Sequence, residues 1–224
     1  MEIHTLYWKN SNSIFYEYHK KIMDKFNINI HYHNLTVNHS EWMDKIINNC
    51  KEEVLGFIDI DCVVTNENII KLCEEYILKH KSIVGIAQVS NHIKPQNHIF
   101  VGPGFFFINV KTWQRLGKPS FKPRKDKLKN FFKKKYDVAE GVCYKFENHD
   151  IKYKAFYPAF YQLQGKNWNL HNYGEYGIGT YYQEGIYHLF ESRDPVNISL
   201  FKKKCEEILN NNFNTFDMYN SKKI

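Results

Sequence analysis

Two aspartates separated by a single residue, Asp59 and Asp61, close the apolar stretch Gly56-Phe57-Ile58-Asp59-Ile60-Asp61. At strand spacing, side chains at i and i+2 point to the same side. Two carboxylates placed together at the end of a buried strand repel one another and resist desolvation unless a cation neutralises them. A hard divalent ion does so with oxygen ligands, and it can hold a diphosphate at the same time. A bare Asp-x-Asp is common as a loop cap, here before Thr65. One that ends an apolar third strand in an alternating chain points instead to a metal–diphosphate site.

Other residues have types suited to the same chemistry. Neutral imidazole is a good metal ligand, and the guanidinium of Arg193, five residues after His188, is a fitting diphosphate partner. Gly102 and Gly104 around Pro103 let the backbone approach a ligand, or form an ordinary turn. Asp137 opens a helix after a loop and Glu140 lies one turn on. Either can take a proton from an acceptor hydroxyl, and Asp137 can equally be a helix N-cap. Tyr7 and Trp8 end the first strand, with rings that can stack on a ligand or pack in the core. His31 and His33 share one strand face with His39 nearby. No fourth ligand of matching character accompanies them, so they read as polar or hydrogen-bonded residues.

The elements that must position these groups follow from periodicity and caps. Strands are expected at 3–8, 28–32, 54–60, 82–89, 99–101 and 105–110. Helices are expected at 13–26, 40–50 and from Thr65 or Asn66 to about His80. This β-α-β alternation predicts an α/β fold with a mainly parallel sheet flanked by helices. After Thr112 come a short helix ending at Gly117, a helix from Asp137 to about Asn148, and a strand at 151–156. The stretch 157–187 is rich in Tyr and Gly and has little periodicity. Asp194-Pro195 starts a final helix, with Asp at the N-cap and Pro at N1. The chain reads as one domain over 1–224, with a nucleotide-fold-like half at 1–112 and a more irregular half at 113–224.

Composition narrows the class. Of 224 residues, 43% are hydrophobic and 17% aromatic, which excludes a disordered chain, a collagen and a long coiled coil. Five cysteines without a CxxC pair suggest buried thiols in a reducing compartment rather than disulfides or a zinc site. With no signal peptide and no apolar run of spanning length, the expected location is the cytoplasm, or a host-cell cytoplasm for a viral protein. The net charge of +7 is concentrated: residues 118–135 carry nine Lys/Arg and one acid, leaving 22 basic and 23 acidic residues elsewhere. Lys122, Arg124, Lys125, Lys133, Lys134 and Lys135 form either a solvated charge run or a patch for a nucleic acid, an anionic lipid surface or an anionic glycan.

The stretch GFIDIDCVV resembles the DxD strand of GT-A glycosyltransferases, a Rossmann-like fold that uses nucleotide-sugars. Three further segments resemble features of that family: Val101-Gly102-Pro103-Gly104-Phe105-Phe106-Phe107-Ile108-Asn109, the acidic position Asp137, and Tyr187-His188-Leu189-Phe190-Glu191-Ser192-Arg193. The resemblance runs over most of residues 1–193 as ordered features. It implies Mn²⁺ or Mg²⁺ on Asp59, Asp61 and His188. It also implies a nucleotide-diphosphate sugar, a UDP-sugar foremost, near Tyr7, Trp8, Asp59, Gly102, Pro103, Gly104 and Arg193. Asp137 or Glu140 would be the base of an inverting reaction. The acceptor would be a glycan or lipid-linked sugar, at an anionic membrane surface or free of one. A hydroxymethylated DNA base is the other acceptor, as in enzymes resembling the base J glucosyltransferase. A nucleotidyltransferase would carry a Gly-rich basic loop after the first strand, where this chain has Trp8-Lys9-Asn10-Ser11-Asn12-Ser13. A non-catalytic nucleic-acid-binding module built on residues 118–135 is the alternative function.

Overall fold

The computed structural model describes residues 1–90, 98–123, 125–127, 133–212 and 218–221. The fold is α/β. Six strands form a mixed, mostly parallel sheet flanked by helices: β1 (Glu2–Tyr7), β2 (His31–Asn34), β3 (Val54–Ile58), β5 (Ile83–Val89), β6 (Ile99–Asn109) and β9 (Lys154–Phe156). The chain divides into two compact units, each drawn from several stretches.

The first unit comprises Met1–Glu2, Val37–Phe57 and Cys73–Ala155. Its strands lie in the order β3-β6-β5-β9. The expected strands at 99–101 and 105–110 are a single strand, β6, running through Gly102-Pro103-Gly104. It pairs antiparallel with β5 from Ile83↔Ile108 to Val89↔Ile99 and absorbs the proline at a register shift between Gly85 and Ala87. Phe57, Phe105, Phe106, Phe107, Trp113, Phe121 and Phe146 are all fully buried here. Gly56 is required by that packing, because a Cβ would sit 2.4 Å from the Phe107 ring. Helix α2 (His39–Asn49) is capped by Asn38 rather than Ser40, its side chain accepting from the Ser40 and Glu41 amides. Helix α3 (Asn68–His80), most of which belongs to this unit, α4 (Val110–Arg115) and α5 (Glu140–Glu147) complete the helices. Within the basic segment, β7 (Lys125–Lys127) and β8 (Lys133–Lys135) form an antiparallel pair with Lys125 opposite Lys135.

The second unit comprises Ile3–Thr36, Ile58–Leu72 and Phe156–Ile224. Here β1 and β2 pair in parallel, and a five-stranded sheet runs β13-β10-β11-β12-β4. Its strands are β4 (Cys62–Val64), β10 (Pro158–Asn169), β11 (Glu175–Tyr182), β12 (Ile186–Leu189) and β13 (Tyr219–Asn220). The stretch 157–187, expected to be irregular, is therefore mostly strand. Its periodicity is hidden for two reasons. β11 is buried on both faces, and β10 carries register shifts between Pro158 and Phe160 and between Gln162 and Asn167. Helices α1 (Ser13–Lys25) and α6 (Pro195–Leu209) pack together through Phe15 and Phe201, whose ring centroids are 4.9 Å apart. Lys25 Nζ caps the carboxyl end of α6, donating to the carbonyls of Ile208 and Leu209 at 2.7 and 3.0 Å. Asp194 and Pro195 start α6 as expected, whereas α1 is capped by Asn12 instead of Ser13. All five cysteines are free and buried. Among the described residues, no helix is long and apolar enough to cross a membrane.

Candidate metal and nucleotide site

The apolar run that begins at Val54 does not continue as strand to Ile60. It ends at Ile58, and Asp59 to Asp61 form a tight turn into β4, closed by the Cys62 amide donating to the Asp59 carbonyl at 2.9 Å. The two aspartates thus sit on a turn rather than on the last residues of a strand. Strand β12 pairs antiparallel with β4, placing His188 opposite Cys62. The Leu189 amide donates to the Asp61 carbonyl at 3.0 Å, which fixes the turn against β12.

The result is a cluster of three side chains. One ligand atom each from Asp59, Asp61 and His188 lies within 4.8 Å of the others. Nε2 of His188 is 3.4 Å from Oδ1 of Asp61, at ion-pair range. Among the described residues, neither Oδ1 of Asp61 nor Nδ1 of His188 has a hydrogen-bond partner, although both atoms are buried. Unsatisfied buried polar atoms are costly, and a cation held among the three side chains would satisfy the Asp61 oxygen. Burial and the neighbouring Asp61 charge push the Asp59 carboxyl above its ordinary range. Burial opposes ionisation of Asp61 too, but the contact with His188 and a hydrogen bond with Ser192 outweigh it and hold that carboxyl low. Two buried carboxylates pushed apart in this way mark a candidate functional site.

Beside the turn lies a pocket of about 190 Å³ lined by Tyr7, Trp8, Asn12, Tyr16, Asn34 and Ile60 among others. Ile60 is the residue between the two aspartates, so the pocket and the carboxylates share one turn. Tyr7 and Tyr16 stack with centroids 4.9 Å apart. The Ser11 hydroxyl accepts from the Trp8 amide at 3.2 Å and shapes the loop after β1. The Arg193 guanidinium, on an exposed residue, lies over the ring of the pocket-lining Trp8, 4.0 Å from its centroid.

No protein-family model and no curated protein matches the chain. Several solved structures are similar to it at low identity. A protein from STIV is 13% identical with a TM-score of 0.42, over 84% of this chain and 94% of that one. The galactosyltransferase LgtC, in complex with donor and acceptor sugar analogues, is 12% identical with a TM-score of 0.38, over 51% of this chain and 60% of that one. The glycosyltransferase GlyE of Streptococcus pneumoniae is 14% identical with a TM-score of 0.37, over 69% and 44%. A fold at this distance assigns no activity, so the residues themselves must carry the reading.

The structure brings together Tyr7, Trp8, Asp59, Asp61, His188 and Arg193 in the second unit. Gly102, Pro103, Gly104, Asp137 and Glu140 belong to the first. The space a Cβ would fill at Gly102 is occupied by the Gln88 side chain, 2.3 Å away at Oε1, so that glycine accommodates its partner strand. Glu140 is fully buried. It accepts from the Asp137 amide at 2.7 Å and contacts His98 Nδ1 at 3.0 Å. Asp137 accepts from the Val138 amide at 2.9 Å and does not cap α5, whose N-cap is Ala139 at φ 67°. Burial disfavours a charged His98, but hydrogen bonds with Glu140 and Glu147 overcome it and raise its pKa. Lys122 is exposed and paired with Glu41 at 2.9 Å, while Arg124 lies outside the described residues. Lys125, Lys133, Lys134 and Lys135 lie on β7 and β8.

Sequence reasoning did not single out Ser192, His19, Tyr16 or Asn34. His19 is wholly buried on α1, its Nδ1 2.8 Å from the Tyr32 hydroxyl, and it feels the charge of Asp61. Its place at an otherwise apolar helix face, one turn before Ile22, was the available signal. His33 is half-buried and hydrogen-bonded, its Nε2 2.9 Å from His4 Nδ1, and the exposed His31 stacks on His4 at 4.9 Å, in keeping with polar or hydrogen-bonded residues.

Proposed function

We propose that the protein is a divalent-metal-dependent glycosyltransferase that moves a sugar from a nucleotide-diphosphate sugar to an acceptor hydroxyl. The observation that carries this reading is the convergence of Asp59, Asp61 and His188, with a buried Asp61 oxygen left unsatisfied, at the turn that also lines the aromatic pocket. Asp59, Asp61 and His188 would hold Mn²⁺ or Mg²⁺, and the bound ion supplies charge stabilisation to a departing diphosphate. Ser192 steadies Asp61 in its ionised state. Tyr7, Trp8 and Tyr16 offer aromatic surface for a nucleobase, with a UDP-sugar the first donor to test. Arg193, held over Trp8, has the planar fork that suits a diphosphate.

Asp137 is the proposed base for the acceptor hydroxyl in an inverting reaction. It is half-exposed, whereas Glu140 spends its carboxylate on His98 and the Asp137 amide. The Gly102-Pro103-Gly104 segment is proposed to flank the donor sugar by backbone alone. A nucleotidyltransferase reading fits less well, because the loop after β1 contains no glycine. The experiment is a thermal-shift series with Mn²⁺, UDP and both together, on wild type and Asp61→Ala, followed by a screen of nucleotide-sugar hydrolysis. At a hundred times Kd a bound ligand stabilises by about 2.7 kcal/mol. For a chain of this size that raises Tm by about 5–11 °C. A folded Asp61→Ala protein that kept the full Mn²⁺-dependent shift would remove the metal site and this reading with it.

A further inference from the structure

The basic segment carries a pattern that its net charge does not show. Strand β7 reads Lys-Asp-Lys and strand β8 reads Lys-Lys-Lys, and they pair antiparallel as Lys125↔Lys135, Asp126↔Lys134 and Lys127↔Lys133. Residues directly opposite in such a pair share a face, and so do residues two apart along either strand. The register therefore places Lys125, Lys127, Lys133 and Lys135 on one face of the hairpin. Asp126, the one acid of residues 118–135, falls on the other face, across from Lys134. One face thus has lysine at all four of its register positions, and the other pairs a lysine with an acid.

Such a pattern costs the hairpin stability. Like charges directly opposite one another destabilise a strand pair, and here two such pairs are adjacent. A two-stranded ribbon is marginal to begin with. Residues two apart on a strand lie about 6.8 Å apart and opposite Cα atoms about 5 Å apart, so the four lysines are rooted in a small, one-sided patch. A layer of anions meeting that face would offset the repulsion. Two classes of partner present such anions, a nucleic acid and a membrane. The residues that join the strands, Leu128-Lys129-Asn130-Phe131-Phe132, lie outside the described residues, but their types favour the membrane. Leu128, Phe131 and Phe132 are large and apolar and cannot hydrogen-bond a phosphate. Peripheral membrane binding combines apolar side chains at the headgroup–acyl boundary with cations over anionic headgroups.

We infer that the four-lysine face of the β7–β8 hairpin docks this protein on an anionic lipid surface. Lys134 and Asp126, on the other face, take little part, and Lys122 is already paired with Glu41 at 2.9 Å. The inference stands apart from the glycosyltransferase reading, since it uses neither the metal ligands nor the aromatic pocket.

The test is co-sedimentation of the full chain with vesicles of phosphatidylcholine, alone or mixed with phosphatidylserine, at low and at high salt. Duplex and single-stranded DNA are titrated separately by fluorescence anisotropy. Wild type should bind the anionic vesicles at low salt, ignore the neutral ones, and be released as salt rises. A lysine close to such a surface contributes about fivefold in affinity. Lys133→Gln and Lys134→Gln remove the same charge from adjacent residues on opposite faces. The first should weaken vesicle binding by about fivefold, and the second by about twofold or less. Lys127→Gln combined with Lys133→Gln should cost about 25-fold. All three variants should melt no lower than wild type, which separates lost docking from lost fold. No binding to anionic vesicles at low salt, or equal losses in Lys133→Gln and Lys134→Gln, would overturn the inference. DNA binding that falls in Lys133→Gln, in a protein that leaves anionic vesicles alone, would overturn it in favour of a nucleic-acid contact.

Discussion

Acidification should destabilise this protein through one residue behind the proposed metal site. His19 is wholly buried on α1, and burial lowers its pKa to about 3, against a smaller opposing pull from the Asp61 charge. In the unfolded chain it titrates near 6.5. The sign follows from proton counting: below about pH 6.5 the unfolded state binds a proton that the folded state refuses, so stability falls with pH until about pH 3. The contribution is intact at neutral pH. At pH 5 the loss is about 2 kcal/mol, at roughly 1.4 kcal/mol for each pH unit below 6.5. For a chain of this length that is about 4–8 °C in Tm. The comparison is urea unfolding of wild type and His19→Gln at several pH values between 5 and 7.5. Glutamine can still hydrogen-bond the Tyr32 hydroxyl but cannot take up a proton. The variant starts less stable at neutral pH and should lose less on acidification, so the two curves converge. Parallel curves, with the same loss between pH 7 and 5, would refute the assignment of a neutral, buried His19.

His98 should behave in the opposite sense. Its raised pKa, from Glu140 and Glu147 acting against burial, gives stability that is complete below about pH 6.5 and is lost as pH rises through the folded value. His98→Gln should flatten that alkaline decline, read from urea midpoints at about pH 6 and about pH 8.5, on either side of the unfolded value. Gly56→Ala should cost about 1–3 kcal/mol through overpacking against Phe107, and Gly56→Ala with Phe107→Leu should recover part of it in the same melts. If the basic segment contacts phosphate, reversing Lys133, Lys134 and Lys135 to Glu should weaken duplex DNA binding regardless of sequence and reduce its salt slope. Testing the same variant on anionic vesicles separates DNA from lipid. Wild type that ignores both at low salt would leave a solvated hairpin.

The parts of the site that could be read in the sequence are those with local signals. An apolar run ending in Asp59-Ile60-Asp61 marks its own chemistry, and Tyr7 and Trp8 mark the end of β1. The turn inside that run was hidden, because Cys62-Val63-Val64 continues the hydrophobic pattern on the far side of Asp61 and only a change of pairing partner separates β3 from β4. Gly102 has the residue type of a ligand cradle, yet its missing Cβ makes room for Gln88, a neighbour known only from strand pairing. Trp168 carries no motif, and Phe190 stands in the late histidine segment only as a neighbour of His188. Their adjacency comes from the β10–β11 register and the Phe190–Ile178 hydrogen bond.

His188 shows how far a long-range position depends on that kind of register. It reaches Asp61 because β12 pairs with β4 at Ile186↔Val64, Tyr187↔Val63 and His188↔Cys62. Side chains alternate along a strand, so a slip of one residue would present Tyr187 or Leu189 where His188 now stands. The register is held by burial. All four residues of β12 and all three of β4 are buried, and turning β12 over would put a polar imidazole where Tyr187, wholly buried, now packs. The Leu189 amide bonded to the Asp61 carbonyl ties the same register directly to the aspartate turn. The proposed metal ligands are therefore positioned by the hydrophobic pairing of two short strands, and the unsatisfied atoms they leave are tolerated because that pairing is strong enough to hold them there.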